Sequence, residues 1–183
     1  MQMLLWINFN MRKKFFHSIK LICKINYNST MKTEQEKYMN EAFKEAKKAY
    51  EKLEVPVGAI IVKDGKIIAR AHNIKEEKQS SLKHAEIIAI EKASKKLNNW
   101  RLSDCDLYVT LEPCNMCTGA ILQSRIRKIY IGAMDEKYGY CGSVLNLPKD
   151  YNLGIPVEIE TGILEEKCEK TLKDFFVEIR KKK

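Results

Sequence analysis

Long apolar runs are missing from this chain, and no stretch supplies the roughly 18 consecutive apolar residues of a bilayer-crossing helix, so a helical membrane span is excluded. Arginine is scarce. Only six of the 33 basic residues are arginine, so the formal charge of +9 rests on lysine. A solvated lysine surface therefore stands beside polyanion binding as an explanation for the charge. A regular disulfide framework is also lacking. The six cysteines, at 23, 105, 114, 117, 141 and 168, have no such spacing in a chain too long to need covalent staples, which points to a reducing compartment. There is no internal repeat, no low-complexity tract and no linker after residue 33, so solenoids and multidomain arrays are excluded. At 183 residues the chain suits a single domain with a full core.

Acidic residues are absent from residues 1–30, which carry Arg12, Lys13, Lys14, Lys20 and Lys24 and so contribute +5 of the net charge. Met31 then opens Met31-Lys32-Thr33-Glu34-Gln35-Glu36, which reads as a start followed by a helix entrance. Residues 1–30 are therefore expected to be an N-terminal extension, either a gene-model artefact or a targeting peptide. Residues 31–183 are expected to be the folded domain. Without a real targeting peptide the expected location is cytoplasmic; with one, it is an organelle.

What is present alternates between two hydrophobic periods. Met39, Ala42, Phe43, Ala46, Ala49, Tyr50 and Leu53 form one helical face, and Pro56 ends it. The run 57–62, the turn dipeptide Asp64-Gly65 and the run 67–69 predict a β-hairpin. A polar loop over 73–83 leads to a helix opening at His84. Strands are predicted at 107–111, 129–132 and 157–159, with helices from Cys114 to Gln123 and along Leu164, Cys168, Leu172, Phe175 and Ile179. The alternation predicts an α/β fold: a three-layer α/β/α sandwich with a five-stranded mixed sheet.

One constellation carries chemistry: His84-Ala85-Glu86, and thirty residues after His84 the segment Pro113-Cys114-Asn115-Met116-Cys117. Two cysteines three apart in a first helical turn point the same way, and their thiolates suit Zn²⁺. His84, opening another helix, supplies a third ligand. Three protein ligands leave one tetrahedral position open for water, the catalytic arrangement, whereas a structural site usually has four. Zinc lowers the pKa of that water, and Glu86 is the carboxylate in the motif able to carry its proton. Residues two apart lie about 200° apart around a helix, so metal and substrate are expected ahead of the helix end rather than on its flank. Cys168 falls on an apolar stripe and is expected in the core. Cys23, Cys105 and Cys141 have no ligand spacing.

These residues match the zinc deaminase signature His-x-Glu followed by Pro-Cys-x-x-Cys. Over about residues 35–180 the chain resembles the bacterial tRNA-specific adenosine deaminases of the cytidine deaminase-like fold, through Val55-Pro56-Val57-Gly58-Ala59, Asn73, Leu107-Tyr108-Val109-Thr110-Leu111-Glu112-Pro113-Cys114, Gly119-Ala120 and Ser124-Arg125-Ile126. The resemblance implies conversion of adenosine to inosine at the wobble position of a tRNA anticodon loop, with one Zn²⁺ per subunit and a homodimer gripping the anticodon stem-loop. It implies that Asn73, Val57 and Ala85 contact the flipped base, and that Asp135, Lys137, Phe175, Phe176 and Arg180 lie near the RNA. From the residues alone Asn73 is just a loop asparagine of the kind that forms a turn. Phe175 and Phe176 are adjacent on a helix, so at most one faces the core. The family often carries Asp-Pro-Thr before the histidine, where this chain has Ser80-Ser81-Leu82-Lys83.

Two other functions use the same features. A deaminase of free guanine, cytosine or cytidine shares the metal site, and a noncatalytic nucleic-acid-binding module with structural zinc shares the ligands but has no use for Glu86.

Overall fold

The computed structural model describes residues 33–150 and 156–182. The reading of residues 1–30 lies outside the described residues. The first element, α1 (Glu34–Glu51), is the amphipathic helix expected from its apolar stripe. It ends because the chain turns left-handed at Leu53 (φ 59°), where Glu54 N–H donates to Ala49 O, and Pro56 then bars further helix. Strands β1 (Gly58–Lys63) and β2 (Lys66–His72) form the predicted hairpin. Asp64 and Gly65 both hold positive φ (49° and 69°), the conformation that Asp-Gly favours in a two-residue turn.

After β2 the loop contains a four-residue helix, α2 (Lys75–Lys78), and then comes α3 (Ala85–Leu97). The chain continues through β3 (Cys105–Leu111), α4 (Asn115–Gln123), β4 (Lys128–Ala133), the short α5 (Leu147–Asp150), β5 (Glu158–Glu160) and α6 (Glu165–Lys181). Helix α2 departs from the sequence reading, which has a loop there, and α5 falls in a stretch to which that reading assigns no element. Four residues make barely one turn, too few to display a hydrophobic period.

The sheet order is β2-β1-β3-β4-β5, with β1 antiparallel to both neighbours and the β3-β4 and β4-β5 pairs parallel. Alternate residues of the central strands face opposite layers. Ile60, Val62, Tyr108 and Tyr130 pack on Met39 and Ala42 of α1. Ala59, Ile61, Leu107, Val109, Ile129 and Ile131 pack on Ala85, Ala89 and Ala93 of α3 and Ile121 of α4. Cys168 of α6 is buried with Phe43 and Ala133 on the α1 side. The result is the expected three-layer α/β/α sandwich with a five-stranded mixed sheet. No helix among the described residues is long and apolar enough to cross a membrane.

This topology decides where the chemistry goes. Because β1 runs against both β2 and β3, those two strands point the same way. Their carboxyl ends meet one edge of the sheet, and α3 and α4 both begin beyond that edge.

Close packing of α1 on β1 depends on Gly58. A Cβ there would lie 2.1 Å from Ala42 O and 2.4 Å from Ala46 N, helix backbone that cannot swing aside. Gly58→Ala is expected to destabilise the protein by about 1–3 kcal/mol, which thermal unfolding reads as a loss of about 2–4 °C per kcal/mol. An unchanged melting temperature would contradict this account of the α1–β1 contact.

Candidate metal centre

His84 and Cys114 occupy equivalent positions, each the residue just before a helix. His84 has extended backbone (φ −78°, ψ 152°) ahead of α3, and Cys114 likewise (φ −70°, ψ 174°) ahead of α4. Neither side chain caps its own helix, so both are available for other work. Placing the imidazole before the first turn also answers the angular problem posed by His-x-Glu. His84 lies ahead of the helix while Glu86 lies on its first turn.

The two sulfurs and the imidazole converge. His84 Nδ1 is 3.7 Å from Cys114 Sγ and 3.5 Å from Cys117 Sγ, and the three donor atoms lie within 4.8 Å of one another. Tetrahedral zinc with ordinary Zn–S and Zn–N bonds requires S···N separations of about 3.6 Å, so the donor set fits Zn²⁺ in type and in spacing. No other group of three or more such side chains among the described residues is placed to hold a metal.

Electrostatics support the same use. Cys114 is lowered to about 4, first by the hydrogen bond from Cys117, with His84 adding to it. Cys117 is correspondingly raised, first because its proton is held by Cys114 and then by burial. One thiol is thus ionised by its neighbours, and a dication in the same place would draw the proton from the second. His84 is raised, chiefly by its contact with Cys114. Cys141 is nearby and buried but bonds Thr118 Oγ1 (3.5 Å), and burial pushes its thiol up to about 12, so it stays a neutral core residue.

Glu86 is 3% exposed, and its Oε2 has no hydrogen-bond partner. Burial raises its carboxyl to about 7, against a smaller lowering by its own backbone N–H and His84. An orphaned buried carboxylate oxygen is costly for folding and is usually retained for chemistry. It faces a cavity of about 740 Å³, the size that holds a nucleoside.

That cavity gathers His84, Glu86 and Cys114 with Asn73, Val57, Asp135, Phe175 and Phe176, all residues named from the sequence. Asn73 is more constrained than a loop residue. Its Nδ2 donates to Val55 O (3.1 Å) and its Oδ1 accepts from Ala85 N (2.8 Å), so it joins the segment between α1 and β1 to the start of α3. Ala85 differs from expectation: it is fully buried, does not line the cavity, and its only amide hydrogen goes to Asn73. Phe175 is buried and Phe176 is 47% exposed, so one of the pair faces the core, as helical geometry requires. Lys137 lies over the Tyr138 ring in an adjoining groove. Arg180 is exposed, donates to Phe176 O and does not line the cavity.

Glu54, Glu112 and Tyr138 are among the lining residues to which sequence reasoning gave no role. Glu54 is 2% exposed and accepts from Glu77 N (2.7 Å), tying α2 to the cavity wall. Its one signal is a carboxylate directly before the Val55-Pro56 segment. Glu112 stands inside the quoted Glu-Pro-Cys run, where the cysteine draws attention away from it.

The family model described as the cytidine and deoxycytidylate deaminase zinc-binding region matches residues 32–133. The tRNA-specific adenosine deaminase of Bacillus subtilis is 52% identical over 151 residues, covering 82% of this chain and 94% of that protein. A solved tRNA:A34 deaminase, described as carrying out A-to-I editing at the wobble position of transfer RNA, superposes with a TM-score of 0.71 at 40% identity, over 73% of this chain and 97% of that one. A guanine deaminase from Nitrosomonas europaea, 23% identical over 76% of this chain and 83% of that one, has a TM-score of 0.68 and shares the fold.

Replacing Cys117 with Ala is expected to lower the zinc content from about one ion per chain to below about a tenth, measured by elemental analysis of folded protein. Full retention of zinc would remove Cys117 from the ligand set.

Proposed function

The chain belongs to the tRNA-specific adenosine deaminases within the cytidine and deoxycytidylate deaminase zinc-binding family, and we propose that it hydrolyses adenosine to inosine at the wobble position of a tRNA anticodon loop. The observation that carries the reading is the buried, unpartnered Glu86 Oε2 beside three converging metal donors, two of which line the same cavity. A structural zinc module has no need to maintain such an oxygen.

His84, Cys114 and Cys117 would hold Zn²⁺, which when bound makes hydroxide available at neutral pH. Glu86 handles the protons. Its carboxylate takes one from water as the water oxygen bonds to adenine C6 and passes it to the ring nitrogen, then takes the second from the new C6 hydroxyl and delivers it to the departing amine as the C6–N bond breaks and the C6 carbonyl forms. Adenosine and water become inosine and ammonia. A carboxyl raised by burial is matched to accepting and releasing a proton in one cycle.

Reaching C6 requires the base to leave its stack, which costs least in a single-stranded anticodon loop. Asn73 keeps one Nδ2 hydrogen and one Oδ1 lone pair beyond its two backbone contacts, so it can bind the flipped base edge. Val57 offers its apolar surface to the ring face. Phe176, exposed on α6, would stack on a base, and Asp135, Lys137, Phe175 and Arg180 complete the proposed RNA side. A homodimer acting in the cytoplasm is part of the same proposal. Light scattering of the purified protein checks the stoichiometry.

Incubation with transcribed tRNA carrying adenosine at the wobble position should yield inosine, and free adenosine, guanine and cytidine should release no ammonia. Ammonia from a free base alone would favour the free-base deaminase. Glu86→Ala should lower kcat by about 10²–10⁴ or more while keeping zinc and RNA binding. Unchanged inosine formation in that variant would refute the role given to Glu86.

A further inference from the structure

Glu112 lies between β3 and α4, two residues before Cys114, and is 3% exposed. A carboxylate offers acceptor sites and no donors. Four donors meet this one. Cys141 N (2.8 Å) and Ser143 N (3.1 Å) donate to Oε1, and Asp135 N (3.0 Å) and Ser143 Oγ donate to Oε2. All four come from the segment 135–143, which wraps the carboxylate closely. At Gly139 a Cβ would lie 2.1 Å from Glu112 Oε2 and 2.6 Å from Asp135 O. The order continues outward, because Asp135 Oδ1 accepts from Lys137 N and Tyr138 N (3.0 Å each). Asp135 and Tyr138 are the residues by which this segment lines the cavity, and Tyr138 is 59% exposed at its rim.

We infer that Glu112 is a positioning residue for substrate binding: its four acceptor contacts shape the segment 135–143 and so place Asp135 and Tyr138 on the cavity wall. The inference rests on the tRNA deaminase reading for its substrate. It assigns Glu112 no proton transfer, since Glu86 has the oxygen free for that and Glu112 does not. A glutamine at 112 would turn an NH₂ group toward a backbone N–H, and the segment would be released at one end.

The test compares Glu112→Gln, Gly139→Ala and the milder Ser143→Ala with the wild-type protein in three readouts: zinc content, amide hydrogen exchange, and kinetics on a wobble-adenosine stem-loop. The expected result is zinc unchanged, exchange accelerated within 135–143, and KM raised about tenfold with kcat altered less than about threefold. Ser143→Ala should show the same pattern in smaller degree, and it decides the matter if the other two variants do not fold. Unaltered exchange and KM, or loss of zinc with a parallel fall in kcat, would overturn the inference. If the wild-type protein leaves the stem-loop untouched, the substrate reading falls, and the exchange result, which needs no substrate, still decides whether Glu112 orders the segment.

Discussion

The structure depends on the antiparallel pairing of β1 with strands on both sides. That pairing forces β2 and β3 to run in the same direction, and so brings two helix starts to one edge of the sheet. His84 and Cys114 then need no unusual conformation to meet. Each occupies the last extended residue before a helix, a place where a side chain points forward into the crevice rather than around the helix. The apolar layers on either side fix that relation, because Ile61, Leu107 and Val109 lock α3 and α4 to the strands that precede them. The metal donors are therefore held by the core, with only short segments between them and buried strand residues.

Of the three buried carboxylates that border the cavity, Glu86 and Glu112 live under opposite conditions. Glu112 is surrounded by N–H and O–H donors, while Glu86 has an oxygen that none reaches. The difference is set by what each one faces. Glu112 looks toward a loop whose backbone amides donate to it, and Glu86 looks toward the crevice and the sulfurs. Identical functional groups a short distance apart are thereby divided between holding the chain and handling protons, a separation by environment and not by residue type.

Much of this was legible from residue order. The helix over Glu34–Glu51, the Asp64-Gly65 hairpin and the sandwich architecture follow from periodicity and turn chemistry, and the ligand set follows from spacing and donor type. What escaped notice acts through tertiary hydrogen bonds. Glu112 bonds to residues 23 to 31 positions later, and Glu54 to one 23 positions later, so no local pattern reveals either. Asn73 shows the same limit. Its position can be read, but its anchorage to Val55 and Ala85 depends on the segment before β1 and the start of α3 coming together beside it. The depth of Ala85 is equally invisible in the sequence, because adjacency to His84 and Glu86 does not reveal that it is fully buried with its amide on Asn73.

The three donors come from two helix starts with the whole of β3 threaded between them. No short fragment of the chain carries the set, so capture of the ion reports that the central strands have already assembled. An ion bound only by the native state enters the folding equilibrium by mass action. A cell short of zinc would then hold less of this protein in its native form, and abundance as well as turnover would track the metal supply.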